Sequence, residues 1–383
     1  MNSARALRLV ALAVALLVVA GCAASVRREK ERIARLRSQG KYEAARTALD
    51  RLARFSPRDT GVLALQVKMR SAERRFPDAV MAYRRYFASA RGHDPQLLDT
   101  LVFAAFHDGS TTLGCRALRV AAALELPYAD SLAREGLGLE PEMQVEALAA
   151  VGRSHSPDAA DWVVGEFLAE ESEVRLAAVM AAQRLGDPRN IHLSAIMSLD
   201  PNDYTRWRTV LMRAELGDPG HLRQVREELT GGYEMLEIQA AACLARRGER
   251  ALLGRVAEGL KSDDPDIRTI AAGELGLSSA AEYSADLAAL ASDNCPSVRD
   301  AAAAALCDIG DKTTLATLIS MLNDPDADVR ATATTALGRL GTQSDESFLV
   351  AQLADSSPQV GVSAVGALRA LCAQPAPSEP PQH

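Results

Sequence analysis

The stretch Asp326–Gly341, DADVRATATTALGRLG, decides the fold, because it is not unique in the chain. Thirty-one residues upstream stands CPSVRDAAAAALCDIG (Cys295–Gly310), and a further thirty-one upstream DPDIRTIAAGELGLSS (Asp264–Ser279). Aligned on the apolar residue that opens each helix, the copies start at Val174, Thr205, Leu236, Ile267, Val298, Val329 and Val360, every step being 31 residues. Val145, 29 residues before Val174, opens a shorter first copy. A period of this length with two helical patterns per unit predicts stacked helix pairs, since one pair alone cannot bury its apolar face.

Each column of the alignment has a physical reading. One residue after the start come Arg175, Arg206, Arg268, Arg299 and Arg330, and five before it come Asp200, Asp293, Asp324 and Asp355. Carboxylates in the turns and guanidiniums at the helix starts predict a ladder of charge-assisted hydrogen bonds along the stack. Four after the start the residues are small, from Ala178 and Thr209 to Ala333 and Ala364, which lets neighbouring helices approach closely. Leu244, Leu275, Leu306, Leu337 and Leu368 complete an i, i+4, i+8 core stripe. Twelve after the start, Gly186, Gly217, Gly248, Gly310 and Gly341 are placed for left-handed C-caps.

The order helix, Asp-containing turn, then V-R-x-x-A-x-x-A-L-G helix resembles HEAT-like repeats of the short type first described in phycobilisome lyases. The likeness runs from about Glu142 to Ala373. It implies an all-α solenoid, and repeats of this kind mostly serve as protein-binding scaffolds. Upstream the spacing changes to 34: Gly40, Tyr42, Ala45, Leu49 and Leu52 are echoed by Arg74, Phe76, Ala79, Tyr83 and Tyr86. GKYEAARTALDRLARFSP (Gly40–Pro57) resembles a tetratricopeptide repeat (TPR), with two clear units and a degenerate third around Leu97–Pro127.

The beginning of the chain reads as an export signal. Arg5 and Arg8 precede an uncharged apolar run, Leu9–Ala20, too short to span a bilayer comfortably, and Val19-Ala20-Gly21-Cys22 resembles a bacterial lipobox. That resemblance implies acylation of Cys22 and anchoring through the acyl chains; a plain secretory signal with an incidental cysteine is the other reading. Ala23 after the cysteine, in place of the Asp that retains lipoproteins at the inner membrane, implies the periplasmic face of the outer membrane. The expected organisation is signal peptide 1–21, anchor and linker 22–29, TPR-like module 30–128, HEAT-like solenoid 142–373 and a Pro-rich tail 374–383 too poor in apolar residues to fold. Five cysteines remain beyond Cys22, and they are expected to be small buried hydrophobes.

Charge divides the chain. Residues 26–91 carry 18 Lys and Arg against 7 Asp and Glu, whereas the rest beyond the signal nets −20. The basic end beside the anchor is read either as a contact for anionic lipid or an acidic partner, or as a solvated helical face. Nucleic acid is not an expected partner of an exported, mostly acidic chain with little aromatic interleaving.

Catalytic signatures are absent: no G-x-S-x-G, Walker loop, H-E-x-x-H or dinucleotide fingerprint occurs, and the six histidines are scattered. The expectation is therefore not an enzyme, with no metal and no cofactor. What stands out is the column two after the start, which reads Leu176, Trp207 and Ile238 in consecutive units, with Arg184, Arg208 and Arg246 expected to flank it. Either it is an exposed strip in a concave groove suited to an apolar protein segment, or it is core between helices. The leading function is a membrane-tethered, non-catalytic scaffold for envelope proteins. The alternatives are a lyase-like enzyme or a structural subunit of an outer-membrane or pilus-type assembly.

Overall fold

The computed structural model describes residues 24–90 and 92–374, and among them every regular element is helical. Cys22, the lipobox and nearly all of the Pro-rich tail lie outside the described residues. No described helix is long and apolar enough to cross a membrane. The chain divides into two compact units, residues 1–104 and 105–383.

The first unit is a set of antiparallel helices: α1 (24–38), α2 (Tyr42–Phe55), α3 (Thr60–Ala72), α4 (Phe76–Ala90) and most of α5 (Pro95–Phe106). Their apolar faces bury Ile33, Ala45, Leu49, Val62 and Met69 together. The echoed positions Ala79 and Tyr83 are fully buried, but Tyr42 and Phe55 stand exposed.

The second unit alternates long and short helices. The long ones are α6 (Thr111–Ala123), α8 (Pro141–Val151), α10 (Ser172–Leu185), α12 (Asp203–Glu215), α14 (Glu234–Arg246), α16 (Pro265–Leu277), α18 (Pro296–Ile309), α20 (Ala327–Leu340) and α22 (Pro358–Leu371). Between them run α7 (Ala129–Gly136), α9 (Ala159–Glu166), α11 (Asn190–Leu193), α13 (Pro219–Glu228), α15 (Leu253–Glu258), α17 (Ser284–Ala289), α19 (Leu315–Met321) and α21 (Glu346–Gln352). Proline at the first turn of α8, α16, α18 and α22, where its missing N–H costs nothing, starts those helices. Asp264, Asp326 and Asn202 cap their helices by accepting backbone N–H groups.

Each long helix packs on the next, and the stack then returns on itself, because α6 contacts α8 on one side and α22, with part of α20, on the other. Nine long helices among the described residues thus form a closed inner ring with the short helices outside. The closing seam is tight: a Cβ on Gly366 of α22 would lie 2.1 Å from Val120 Cγ1 of α6. Arg116 of α6, almost fully buried, reaches Asp328 and Thr332 at the start of α20, and Arg339 at its other end donates to the Ala123 carbonyl at 3.1 Å. This corrects two expectations. The concave wall is a closed lumen and not an open groove. Residues 105–128, read with the TPR-like module, belong to the second unit and complete its ring.

The ladder forms as the columns predict. Arg175, Arg268, Arg299 and Arg330 reach Asp200, Asp293, Asp324 and Asp355 of the next unit at 2.6–2.8 Å, each also bonding two carbonyls of its own preceding turn. It breaks where Gly231 stands in the Asp column: Arg206 turns to Asp203 in its own helix. The small column is fully buried throughout, from Ala178 to Ala364. In the glycine column Gly186 and Gly310 are left-handed caps at φ 65° and 81°. Gly341 instead is extended, at φ −70° and ψ 177°. Where the column lacks glycine, Ser279 still takes φ 47°.

Candidate functional site

The residues two after each helix start do not make a strip in the lumen. Trp207 is 8% exposed, packed with Leu211, Val225, Ala240 and Leu244, and its indole N–H donates to Gln239 Oε1 at 2.7 Å. Ile238, 3% exposed, runs toward the outer layer, where a Cβ on Gly259 would meet its Cδ1 at 2.5 Å. Leu176 is half-buried. Of the two readings of this column, the exposed strip is corrected and the core one holds for Trp207 and Ile238, which pack between neighbouring units, while Leu176 is partly covered.

The lumen is lined instead by the column ten after the start: Arg184, Glu215, Arg246, Leu277, Asp308 and Arg339 stand 31 residues apart, with Arg153 one step earlier. They line a half-open cavity of about 480 Å³ at the ends of the long helices. Arg184 and Arg246 were singled out in the sequence as flanks of a strip; with Arg208 they belong to this lumen. Arg208, nearly fully buried, donates to Glu274 Oε1 at 2.9 Å and to Gln183 at 2.7 Å. Arg246 bridges Glu274 at 2.8 Å and Glu215 at 2.7 Å. Burial would raise the Glu274 carboxyl, but Arg246 and Arg208 outweigh it and hold it below the usual carboxylate range. On the facing wall Arg153 and Arg184 both bind Asp308 at 2.7 Å, across the ring from α8 and α10 to α18.

A smaller space of about 240 Å³ lies between α6, α8, α18 and α20. Asp300 enters it with one carboxylate oxygen buried and unpartnered, and burial pushes its carboxyl pKa up. Among the described residues no group of three or more His, Cys, Asp or Glu is placed to hold a metal ion. Cys243 and Cys307 are buried as expected, and burial pushes the Cys307 thiol up to about 11; Cys115, Cys295 and Cys372 are only partly covered.

A second feature lies on the edge where the long helices begin. Six residues before the start, the first three units carry Leu139, Leu168 and Leu199, exposed by 40%, 71% and 83%, and Tyr233 follows at the N-cap of α14 with 72%. Later units place Thr230, Lys261, Ser292, Asn323 and Ala354 in the same column. Glu140, Glu170, Glu171, Glu173 and Asp203 stand exposed along this edge. The signal was in the alignment, as leucines where the repeat otherwise places polar or small residues.

The second unit is thus an all-α ring built from stacked helix pairs of a repeat protein. Comparison with known proteins agrees at that level: the HEAT-repeat family matches residues 284–369. Human deoxyhypusine hydroxylase is similar at 22% identity, covering 64% of this chain and 96% of its own, with a TM-score of 0.39. The complex of CpcE and CpcF of phycocyanin lyase from Nostoc sp. PCC7120 matches at 15% identity over 65% of this chain and 96% of its own, TM-score 0.38. An engineered protein matches at 16% identity over 90% of this chain and 99% of its own, TM-score 0.33. No curated protein matches. Two of these chains are enzymes by name, which corrects the expectation that this chain is not an enzyme: such an architecture does not exclude catalysis.

Proposed function

We propose that this protein is a lipid-anchored scaffold of the cell envelope, held at the periplasmic face of the outer membrane by acyl chains on Cys22, that binds a protein partner along the leucine edge of its ring. The observation that carries the reading is the run Leu139, Leu168, Leu199 and Tyr233 in four consecutive units. Helices pack 8–10 Å apart, so these side chains form an apolar line of about 30 Å, a length suited to a helix or extended segment. Exposed apolar patches rimmed by polar groups mark interaction sites, and the carboxylates here favour a partner with basic side chains beside its apolar ones.

The test places a photo-crosslinking residue at Leu199 and, as a control, at Phe348 on α21, 40% exposed on the outer layer. A discrete protein adduct in native envelopes from position 199 and not from 348, lost when Leu168→Asp is added, is the expected result. Equal labelling from both positions would remove the leucine edge from the account. Cys22→Ala should leave an unprocessed or soluble chain; unchanged processing and membrane fractionation would refute the anchor.

A further inference from the structure

The lumen holds an uneven balance of charge. Arg208 and Arg246 are matched by Glu274 and Glu215, both pairs at 2.7–2.9 Å. On the other wall three guanidiniums, Arg153, Arg184 and Arg339, line the same cavity as the single carboxylate of Asp308. Arg153 and Arg184 share that carboxylate. Arg339 spends one nitrogen on the Ala123 carbonyl, and its one carboxylate partner among the described residues is the exposed Glu125, at 3.5 Å. Arg184 engages Asp308 through Nη2 alone, so its Nε and Nη1 have no protein acceptor among the described residues.

Like charges brought together under partial burial disfavour one another. The Arg184 guanidinium is accordingly held below its usual basicity, by burial first and by the charge of Arg153 next. Val145, Ala177, Met180 and Leu277 give the same space an apolar side, beside the polar Gln183 and Ser279. A concave site of several hundred Å³ that combines an apolar side with convergent charged groups has the form of a site for a small charged molecule.

We propose that the lumen binds a small organic anion, a carboxylate or phosphate monoester bearing an apolar group. Its charged end meets Arg184 between Arg153 and Arg339, and its apolar end lies along Met180 and Leu277. One influence opposes this: the C-termini of α8, α10, α12, α14, α16, α18 and α20 all border this cavity, each bringing roughly half a negative charge that acts within its last turn. The planar guanidinium fork, with donors left over after Asp308, is what gives an oxyanion the advantage over that background. The site is separate from the leucine edge, so either stands if the other falls.

The experiment is calorimetric titration of the full chain with phenyl phosphate, 3-phenylpropionate, inorganic phosphate and phenyltrimethylammonium. One equivalent of phenyl phosphate or phenylpropionate should bind, and the tighter of the two names the head group. Inorganic phosphate should bind more weakly and the cation not at all. Arg184→Gln should weaken binding at least about tenfold, the loss expected for one charge-assisted hydrogen bond, while Leu199→Asp leaves it unchanged. On the unsubstituted protein, the bound anion should slow modification of Arg184 by phenylglyoxal, read by mass spectrometry, which keeps the test independent of how the variant folds. No saturable binding of either organic anion, equal binding of the cation, or an unprotected Arg184 would overturn the proposal and show that the helix ends already balance the three guanidiniums.

Discussion

Trp207→Ala should unfold part of the ring and not merely blunt a surface. The indole is 8% exposed and buried against Leu211, Ala214, Val225, Ala240 and Leu244, so truncation removes a large apolar side chain from a filled site, a change that typically costs about 3–5 kcal/mol. It also strands Gln239 Oε1, which accepts the indole N–H at 2.7 Å, adding about 1–3 kcal/mol unless water enters. Trp207→Phe keeps most of the apolar volume and should isolate the smaller, polar part. Urea unfolding followed by circular dichroism measures both. Because the ladder already breaks at Gly231, the loss should appear first as an early transition of α12–α14 and not as a uniform shift. Acrylamide should barely quench Trp207 in a Trp162→Phe background. A Trp207→Ala protein that melts within 1 kcal/mol of the parent, with an indole open to quencher, would refute this placement.

Other perturbations test other parts of the ring. Ser279→Gly should stabilise by about 1 kcal/mol, since Ser279 occupies the left-handed region at φ 47° that glycine enters without steric cost; a lower urea midpoint would contradict this. The ladder carboxylates make stability acid-sensitive. At Asp200, Asp324 and Asp355 burial alone would raise the pKa, but the arginine hydrogen bond, a backbone N–H and the arginine charge together hold it below the ordinary 3.8, and at Asp293 the arginine bond is the largest influence. A depressed folded-state value means that the stabilisation is fully present above the unfolded value and is lost as pH falls through the folded one. Stability should therefore stay flat from pH 7 to about 5 and fall below about 4, and Asp324→Asn should shallow that fall; an unaltered slope would remove Asp324 from the ladder's energetics.

What was legible in the sequence follows from how each feature is encoded. The helix pairs, the buried small column and the Arg–Asp ladder are local and repeated, so a fixed period of 31 exposes them. Phase within the helix was harder to read. Leu176, Trp207 and Ile238 were correctly aligned, but whether their column meets the lumen or the outer layer depends on the tilt of each long helix against its short neighbour, which spacing does not specify. The lumen column is half legible: Arg184 and Arg246 stand out in the sequence, but their partners Asp308, Glu215 and Glu274 come together only when the stack curves. Ring closure was invisible for the same reason. It accumulates from a small rotation at every unit, about 40° for each of nine helices, and is sealed by Val120 and Gly366, which are 246 residues apart.

The closed ring is the claim on which the lumen depends, and its seam can be trapped. A Cβ at position 366 would lie 3.5 Å from Val120 Cβ, inside the range of a disulfide, and replacing valine removes the methyl that would otherwise clash. Val120→Cys with Gly366→Cys should therefore oxidise to a single intramolecular bridge, detected as a linked 120–366 peptide in a non-reduced digest and absent from either single variant. Two free thiols at these positions under oxidising conditions, in a protein with parental helicity, would mean that α6 and α22 do not meet and that the ring is open.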